Sequence, residues 1–221
     1  LGVNRGGRGR AEVAIVARGR SAHSSNPAAG DNAVYKMVEA ISALRRLKLP
    51  THPDLGRAIA ELTDIRSTPY PGASVIPNYC RATYDRRLLV GESRDGVLRQ
   101  FVDAVSHLDG VDAKFVTGEA TMWTGKRVVA ERFFPAWLYP EDHPDLDAMR
   151  RGLEARGLYR GSGIYSFCTN AAHWAGVARI PTFGYGPSRE TMAHVDDEYI
   201  DVEQLYEAHL GYEAILGTFL R

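Results

Sequence analysis

The 221-residue sequence predicts an α/β protein, and three observations carry the prediction. The apolar run from Ala11 to Ala17 alternates in part, as a strand does. From Asn32 to Lys48 the residues Val34, Met37, Val38, Ile41, Leu44 and Leu47 recur at helical spacing. Between Ala11 and Thr117 the candidate elements fall in the order β-α-β-β-α-β. That order is the one of a ferredoxin-like sandwich, a sheet with two helices on one face.

Taken along the chain, Asp31 is the expected N-cap of the first helix, and Pro50 ends it soon after Leu49. Ala58 to Ile65 reads as the second strand, and Thr68 to Gly72, with two prolines, as a loop. Asn78 to Leu89 reads as the third strand, with Cys80, Ala82 and Tyr84 on one face. The second helix spans Ser93 to Leu108 and carries Val97, Leu98, Phe101, Val102 and Val105 on one stripe. Asp112 to Thr117 is the closing strand.

Past Gly118 the composition shifts, and Trp123 to Tyr139 is aromatic-rich without a clear period. Pro144 to Gly157 is a predicted helix with proline in its first turn. Ile164–Phe167 and Pro181–Gly184 are short strand candidates, with one or two helical turns over Asn170–Ala175 between them. Val202 to Leu220 is an amphipathic helix. The expected division is a connecting segment over 1–8, a first domain over 9–118, and an α/β portion over 119–221.

Charge is balanced, 27 basic against 27 acidic residues. This argues against a nucleic-acid binder or a membrane-surface protein held by bulk electrostatics. Only Arg5 to Arg10 is locally basic, and it reads as a solvated linker. Cys80 and Cys168 form no metal-spaced cluster and fit a reducing compartment. No apolar run approaches the ~20 residues of a membrane span, so a cytoplasmic location is expected.

The histidines are the candidates for chemistry. His23 sits among small polar residues in Ser21-Ala22-His23-Ser24-Ser25, and His194 follows the glycine-bearing stretch Phe183-Gly-Tyr-Gly-Pro187. Asp196, Asp197 and Glu198 either orient the His194 ring or cap the helix that starts near Asp201. A ligand role and a plain surface role for His194 both stay open on the residues alone. His52-Pro53-Asp54 and His143-Pro144-Asp145 match a bare His-x-Asp string, but neither ends a buried strand, and both read as turns. There is no Glu-Glu pair, no Gly-x-Ser-x-Gly elbow and no phosphate-binding Gly-x-x-x-x-Gly-Lys loop.

Three stretches together carry a family resemblance. They are Gly19-Arg-Ser-Ala-His-Ser-Ser-Asn-Pro-Ala-Ala-Gly-Asp-Asn-Ala33, Ser74-Val-Ile-Pro77 running to Asp85-Arg86-Arg87, and Gly184-Tyr-Gly-Pro187 with Ala193-His194 to Glu198. The sequence resembles metallopeptidase family 20, which includes aminoacylases, acetylornithine deacetylase, succinyl-diaminopimelate desuccinylase and glutamate carboxypeptidase. Asp31-Asn-Ala-Val-Tyr-Lys-Met37 and Thr169-Asn170 look closest to its selenium-metabolism hydrolase branch.

The resemblance implies a lid and dimerisation domain over 9–118 and the C-terminal part of a zinc-peptidase-like catalytic domain over 119–221. It implies hydrolysis of an amide bond in an N-acyl amino acid or small peptide, with two divalent ions, zinc or alternatively cobalt or manganese. His23 matches a lid histidine that reaches the partner subunit's site and donates to the oxyanion. His194 matches a metal ligand, Arg87 a substrate-carboxylate arginine, and Gly186 a position where substrate approaches the backbone. Ser74 stands where some members carry a substrate-contacting asparagine. On the same resemblance the remaining metal ligands and the general base belong to a part that this sequence lacks, so the chain alone is expected to be inactive. A homodimer through the lid is the implied assembly, and a non-catalytic dimerisation or interaction module is the alternative.

Overall fold

The computed structural model describes residues 1–220. It divides into two compact units, Gly9–Pro135 on the one hand and Leu1–Arg8 with Ala136–Arg221 on the other. Strand β1 (Val3–Gly7) opens the second of these, which is described after the first.

In the Gly9–Pro135 unit, β2 (Gly9–Arg18) is followed by α1 (Ala33–Leu44), a small ladder of β3 (Thr51–His52) with β4 (Gly56–Arg57), then β5 (Ile59–Thr68), β6 (Tyr79–Leu88), α2 (Arg94–Val105) and β7 (Val111–Phe115). The main sheet runs β5-β6-β2-β7, every pairing antiparallel. With the two helices this is the β-α-β-β-α-β sandwich that the sequence predicts. Ala11, Val13, Ile15 and Ala17 on β2 meet Cys80, Ala82, Tyr84 and Leu88 on β6, and Met37, Phe101 and Val105 cover them from the helices. Alternate residues of a strand face one way, so strict burial of every second β6 residue places one face in this core.

Several details differ from the sequence expectations. The side chain that caps α1 is Asn32, which accepts from Val34 N, while Asp31 pairs with Lys36 at 2.6 Å. The buried stripe of α1 is Ala33, Met37, Ala40, Ala43 and Leu44, and Val38 is exposed. Alanine lets the helix lie close to the sheet, and a pattern built on large apolar residues passes over it. Val102 on α2 is likewise exposed, while Val97, Phe101 and Val105 are buried.

The expected boundary at residue 118 falls inside a hairpin, β8 (Thr117–Thr121) with β9 (Arg127–Glu131), which belongs to this same unit. β10 (Phe133–Phe134) then returns to pair with β2. Glu131 receives two bonds from Arg94, each 2.6 Å, and Arg132 reaches Glu12 at 2.9 Å.

In the other unit β11 (Trp137–Leu138), β1 and β12 (Ser162–Tyr165) form a three-stranded sheet with β1 in the centre. Residues 1–8, expected as a connecting segment, therefore supply a central strand. Arg5, expected in a solvated linker, is 7% exposed and bonded to Glu141 and to Tyr139 O. α3 (Pro144–Glu154) packs with α4 (Val202–Phe219) through Leu146, Met149, Leu153, Ala214 and Ile215. The expected strand over 181–184 is reduced to one bridge, Gly184 with Asn4. A short helical turn over Ala172–Val177 closes with Ala178 N donating to His173 O.

Candidate functional site

His23 lies in a loop whose ends are tied together. Beyond β2, Gly19 N donates to Asn78 O, and Arg20 and Asp31 exchange backbone bonds of 2.9 and 2.8 Å. A Cβ at Gly19 would stand 2.0 Å from Asp31 O, so this closure requires glycine. Inside the loop His23 pairs with Val75, Ser24 N donates to Ser74 O at 3.0 Å, and Ile76 N donates to Ala22 O at 2.9 Å. The structure thus brings His23 and Ser74 together, through main chain on both sides. Ser74 adopts a left-handed backbone, φ 57°.

The His23 ring is exposed, and its Nδ1 accepts from Ser25 N at 3.2 Å and lies 2.7 Å from Ser25 Oγ. A ring nitrogen that accepts from a backbone N–H carries no proton of its own. The neutral imidazole therefore keeps its hydrogen on Nε2, which has no bonded partner among the described residues. Ser25 stands in the quoted motif, but the sequence alone assigns it no role. The same i to i+2 bond recurs at His52 with Asp54 N and at His143 with Asp145 N, both 3.2 Å. Both His-Pro-Asp strings are therefore turns, and His143 also caps α3. A histidine two residues ahead of a polar turn residue is the signal that could have found all three.

Arg87 lies on β6 eight residues beyond Tyr79, about 27 Å along the strand from the end nearest His23 at ~3.4 Å per residue. The structure does not gather it with His23 and Ser74. It stands on the face away from the helices, where its Nε bonds Asp85 Oδ1 at 2.7 Å and Arg10 Nε takes Asp85 Oδ2 at 2.7 Å. Glu12 joins Arg10 to Arg132 on the same face. Arg87 is therefore a strand residue held by a neighbouring carboxylate that it shares with a second guanidinium.

In the other unit the 184–198 segment carries Gly186 and His194. Tyr212 Oη donates to Tyr185 O, Ser166 Oγ bonds Glu190 at 2.9 Å, and Ser188 N donates to Gln204 Oε1 at 3.0 Å. A Cβ at Gly186 would meet only Tyr212 Oη, at 3.7 Å, so the turn itself does not need glycine there. Gly186 lines a cavity of about 270 Å³ with Asn4, Tyr165, Arg189 and Glu198. His194 is exposed with a left-handed backbone, φ 62°, and its own N–H donates to Glu198 Oε2 at 3.2 Å. Glu198 thus fixes the main chain of His194 rather than capping a helix, and Asp201 caps α4.

A hydrolytic zinc site needs three protein ligands. Among the described residues no three His, Cys, Asp or Glu side chains are placed to hold a metal ion. His194 alone does not fit one. No helix among them is long and apolar enough to cross a membrane.

Residues 5–113 match the model of the peptidase dimerisation domain. That match coincides with the four-stranded sandwich and places the fold in a class before any single relative is considered. The chain is 32% identical over 225 residues to YgeY of Escherichia coli (strain K12), covering 99% of this chain and 55% of that protein. It is 30% identical over 208 residues to acetylornithine deacetylase of Vibrio atlanticus (strain LGP32), covering 90% of this chain and 50% of that enzyme. Among solved structures, the M20 family metallo-carboxypeptidase Sso-CP2 of Sulfolobus solfataricus superposes with a TM-score of 0.70 at 12% identity, over 99% of this chain and 60% of that one. The domain match, these relatives and this solved structure together support assigning the chain to metallopeptidase family 20. The chain spans about half the length of the curated relatives it matches.

Proposed function

We propose that this sequence serves a metal-dependent hydrolase of amide bonds in N-acyl amino acids or small peptides, and that it supplies the residues that grip the substrate around the reacting carbonyl. The observation that carries the proposal is the His23 loop. It holds an exposed imidazole with Nδ1 occupied and Nε2–H free, as a donor to a developing oxyanion requires. With Nε2 exposed and without a partner among the described residues, the ring is suited to a second subunit's site. A homodimer through the Gly9–Pro135 unit is supported by the match to a dimerisation domain. It is further supported by the free edge of β5, where Ile59 and Ile65 are exposed.

On this reading the Arg87 guanidinium binds the substrate carboxylate, released in part from Asp85, which keeps Arg10. Ser74 and Gly186 border the substrate, and His194 is a metal ligand. Zinc, cobalt or manganese would polarise the carbonyl and activate water. The described residues do not fit a metal site by themselves, so the steps proposed for this chain are binding, orientation and hydrogen-bond donation.

The test is hydrolysis of N-acetyl amino acids by a protein of the relatives' full length. His23→Ala is expected to lower kcat about 10²–10³-fold with metal content unchanged, the usual worth of one oxyanion donor. An unchanged kcat would sink the role. A second reading, a non-catalytic dimerisation module, is favoured by the lack of a metal-holding cluster among the described residues. Self-association without any metal-stimulated hydrolysis would establish it instead.

A further inference from the structure

The turn that carries His23 also sets a hydroxyl against its ring. Asn26 N donates to His23 O at 2.9 Å, which closes a four-residue turn over 23–26. Ser25 is the third residue of that turn, and its Oγ lies 2.7 Å from His23 Nδ1. Its backbone N–H meets the same nitrogen at 3.2 Å. Ring, N–H and hydroxyl are therefore brought together by the turn alone.

The two groups ask the same thing of the ring. A backbone N–H only donates, so Nδ1 must offer it a lone pair, and a hydroxyl beside a nitrogen without hydrogen donates as well. At His52 and His143 the corresponding residue is an aspartate, Asp54 or Asp145. Each gives the ring the same backbone bond at 3.2 Å, but its carboxylate stands 3.9 Å from Nδ1 and can only accept. Of the three turns, only that of His23 adds a side-chain donor to the backbone one. The hydroxyl is also the closer of the two, and the ring it holds is exposed, with no packing to fix it.

We propose that Ser25 is a positioning residue for His23: its hydroxyl, donating to Nδ1, holds the imidazole in one orientation with its hydrogen on Nε2. Any effect on hydrolysis rests on the function proposed above, whereas the state of the ring can be read without substrate.

The first arm of the experiment is nitrogen-correlation NMR of the 221-residue chain with labelled histidine, the His23 signals being identified by their loss in His23→Ala. It is run at about pH 8.5, two units above the ordinary imidazole value, so that neutral rings are compared. Wild type is expected to show Nδ1 bare and Nε2 protonated. Ser25→Ala removes one neutral hydrogen bond and should raise the share of the Nδ1–H tautomer about two- to tenfold. Ser25→Thr, which keeps the hydroxyl, should restore the wild-type pattern, and Ser21→Ala should not disturb it.

The second arm is hydrolysis of N-acetyl amino acids by a protein of the relatives' full length. Ser25→Ala is expected to lower kcat about two- to tenfold, with KM and metal content unchanged and Ser25→Thr recovering most of the loss. The proposal is overturned by hydrogen on Nδ1 in wild type, by identical tautomer shares in wild type and Ser25→Ala, or by failure of Ser25→Thr to restore them. If the tautomer responds as expected while neither His23→Ala nor Ser25→Ala alters kcat, the positioning stands and the hydrolytic role of His23 falls.

Discussion

Removing Glu92 should cost the Gly9–Pro135 unit more than any other single loss of charge. Arg86 is fully buried, and its guanidinium meets Glu92, Ile59 O at 3.3 Å and Arg87 O at 2.6 Å. Glu92 in turn accepts from Leu89 N at 2.8 Å and is itself only 10% exposed. Burial draws the Arg86 pKa below its usual value and Glu92 opposes that shift, so the carboxylate is what makes a buried cation tolerable. Glu92→Ala leaves that cation unpaired, at about 3–5 kcal/mol. With a urea slope of about 2 kcal/mol/M, the midpoint should fall by roughly 1.5–2.5 M. The assay is urea unfolding read by hydrogen exchange of the β6 peptides, which reports this unit alone. Arg86→Met with Glu92→Leu removes both charges and should recover most of the loss, because a buried ion pair gains little over an apolar pair of similar volume. A shift below about 0.3 M for Glu92→Ala, or a double variant as poor as the single one, would refute the reasoning. Arg86 also holds the carbonyl of Arg87, so on the proposed reading the pair steadies the strand that carries the substrate-carboxylate arginine.

Other expectations are more local. Gly211→Ala would place a Cβ 2.0 Å from Tyr185 Oη and should lower the thermal midpoint, whereas Gly186→Ala, with 3.7 Å of clearance, should change the unfolding free energy by less than about 0.5 kcal/mol. Gly19→Ala drives a Cβ into Asp31 O, so faster amide exchange at Arg20 and Asp31 is expected with a loss of about 1–3 kcal/mol. The Ser162 hydroxyl, and then Arg5, hold the Glu141 carboxyl below the usual carboxylate range, against some desolvation. A folded pKa below the unfolded one means that the stabilisation is present above the unfolded value near ~4.3 and disappears as pH falls through the folded value. Glu141→Gln should therefore cost stability at pH 7, and urea midpoints of wild type and variant should converge as the pH drops below that window.

The sandwich was legible because period-2 and period-3.6 patterns map directly onto burial. Cys80, Ala82 and Tyr84 face one way on β6 whatever covers them. The hairpin over 117–131 was not legible, since all of β9 and most of β8 are exposed and an exposed ladder leaves no apolar period. β1 was hidden for a different reason. Val-Asn-Arg-Gly-Gly has one large apolar residue, and its Arg5 is buried only because Glu141 and Tyr139 O, more than a hundred residues away, accept from it. The three motifs single out His23, Ser74, Arg87, Gly186 and His194, but motif order says nothing about distance along a strand. The place of Arg87 at the far end of β6 from His23 and Ser74 was therefore not legible in the sequence.

Ser74 shows how a departure from a family pattern is reinterpreted by backbone geometry. On the family resemblance some members carry a substrate-contacting asparagine here, which puts that contact in doubt. In the structure the residue also has a structural role, because it is left-handed at φ 57° and its carbonyl accepts from Ser24 N beside His23. Asparagine enters that backbone region several-fold more readily than most residues. The turn that holds His23 therefore favours a short polar side chain at this position, and serine meets that demand less well than asparagine. A change at residue 74 acts first on this turn, and through the Ser24 N–H to Ser74 O bond it reaches the His23 loop.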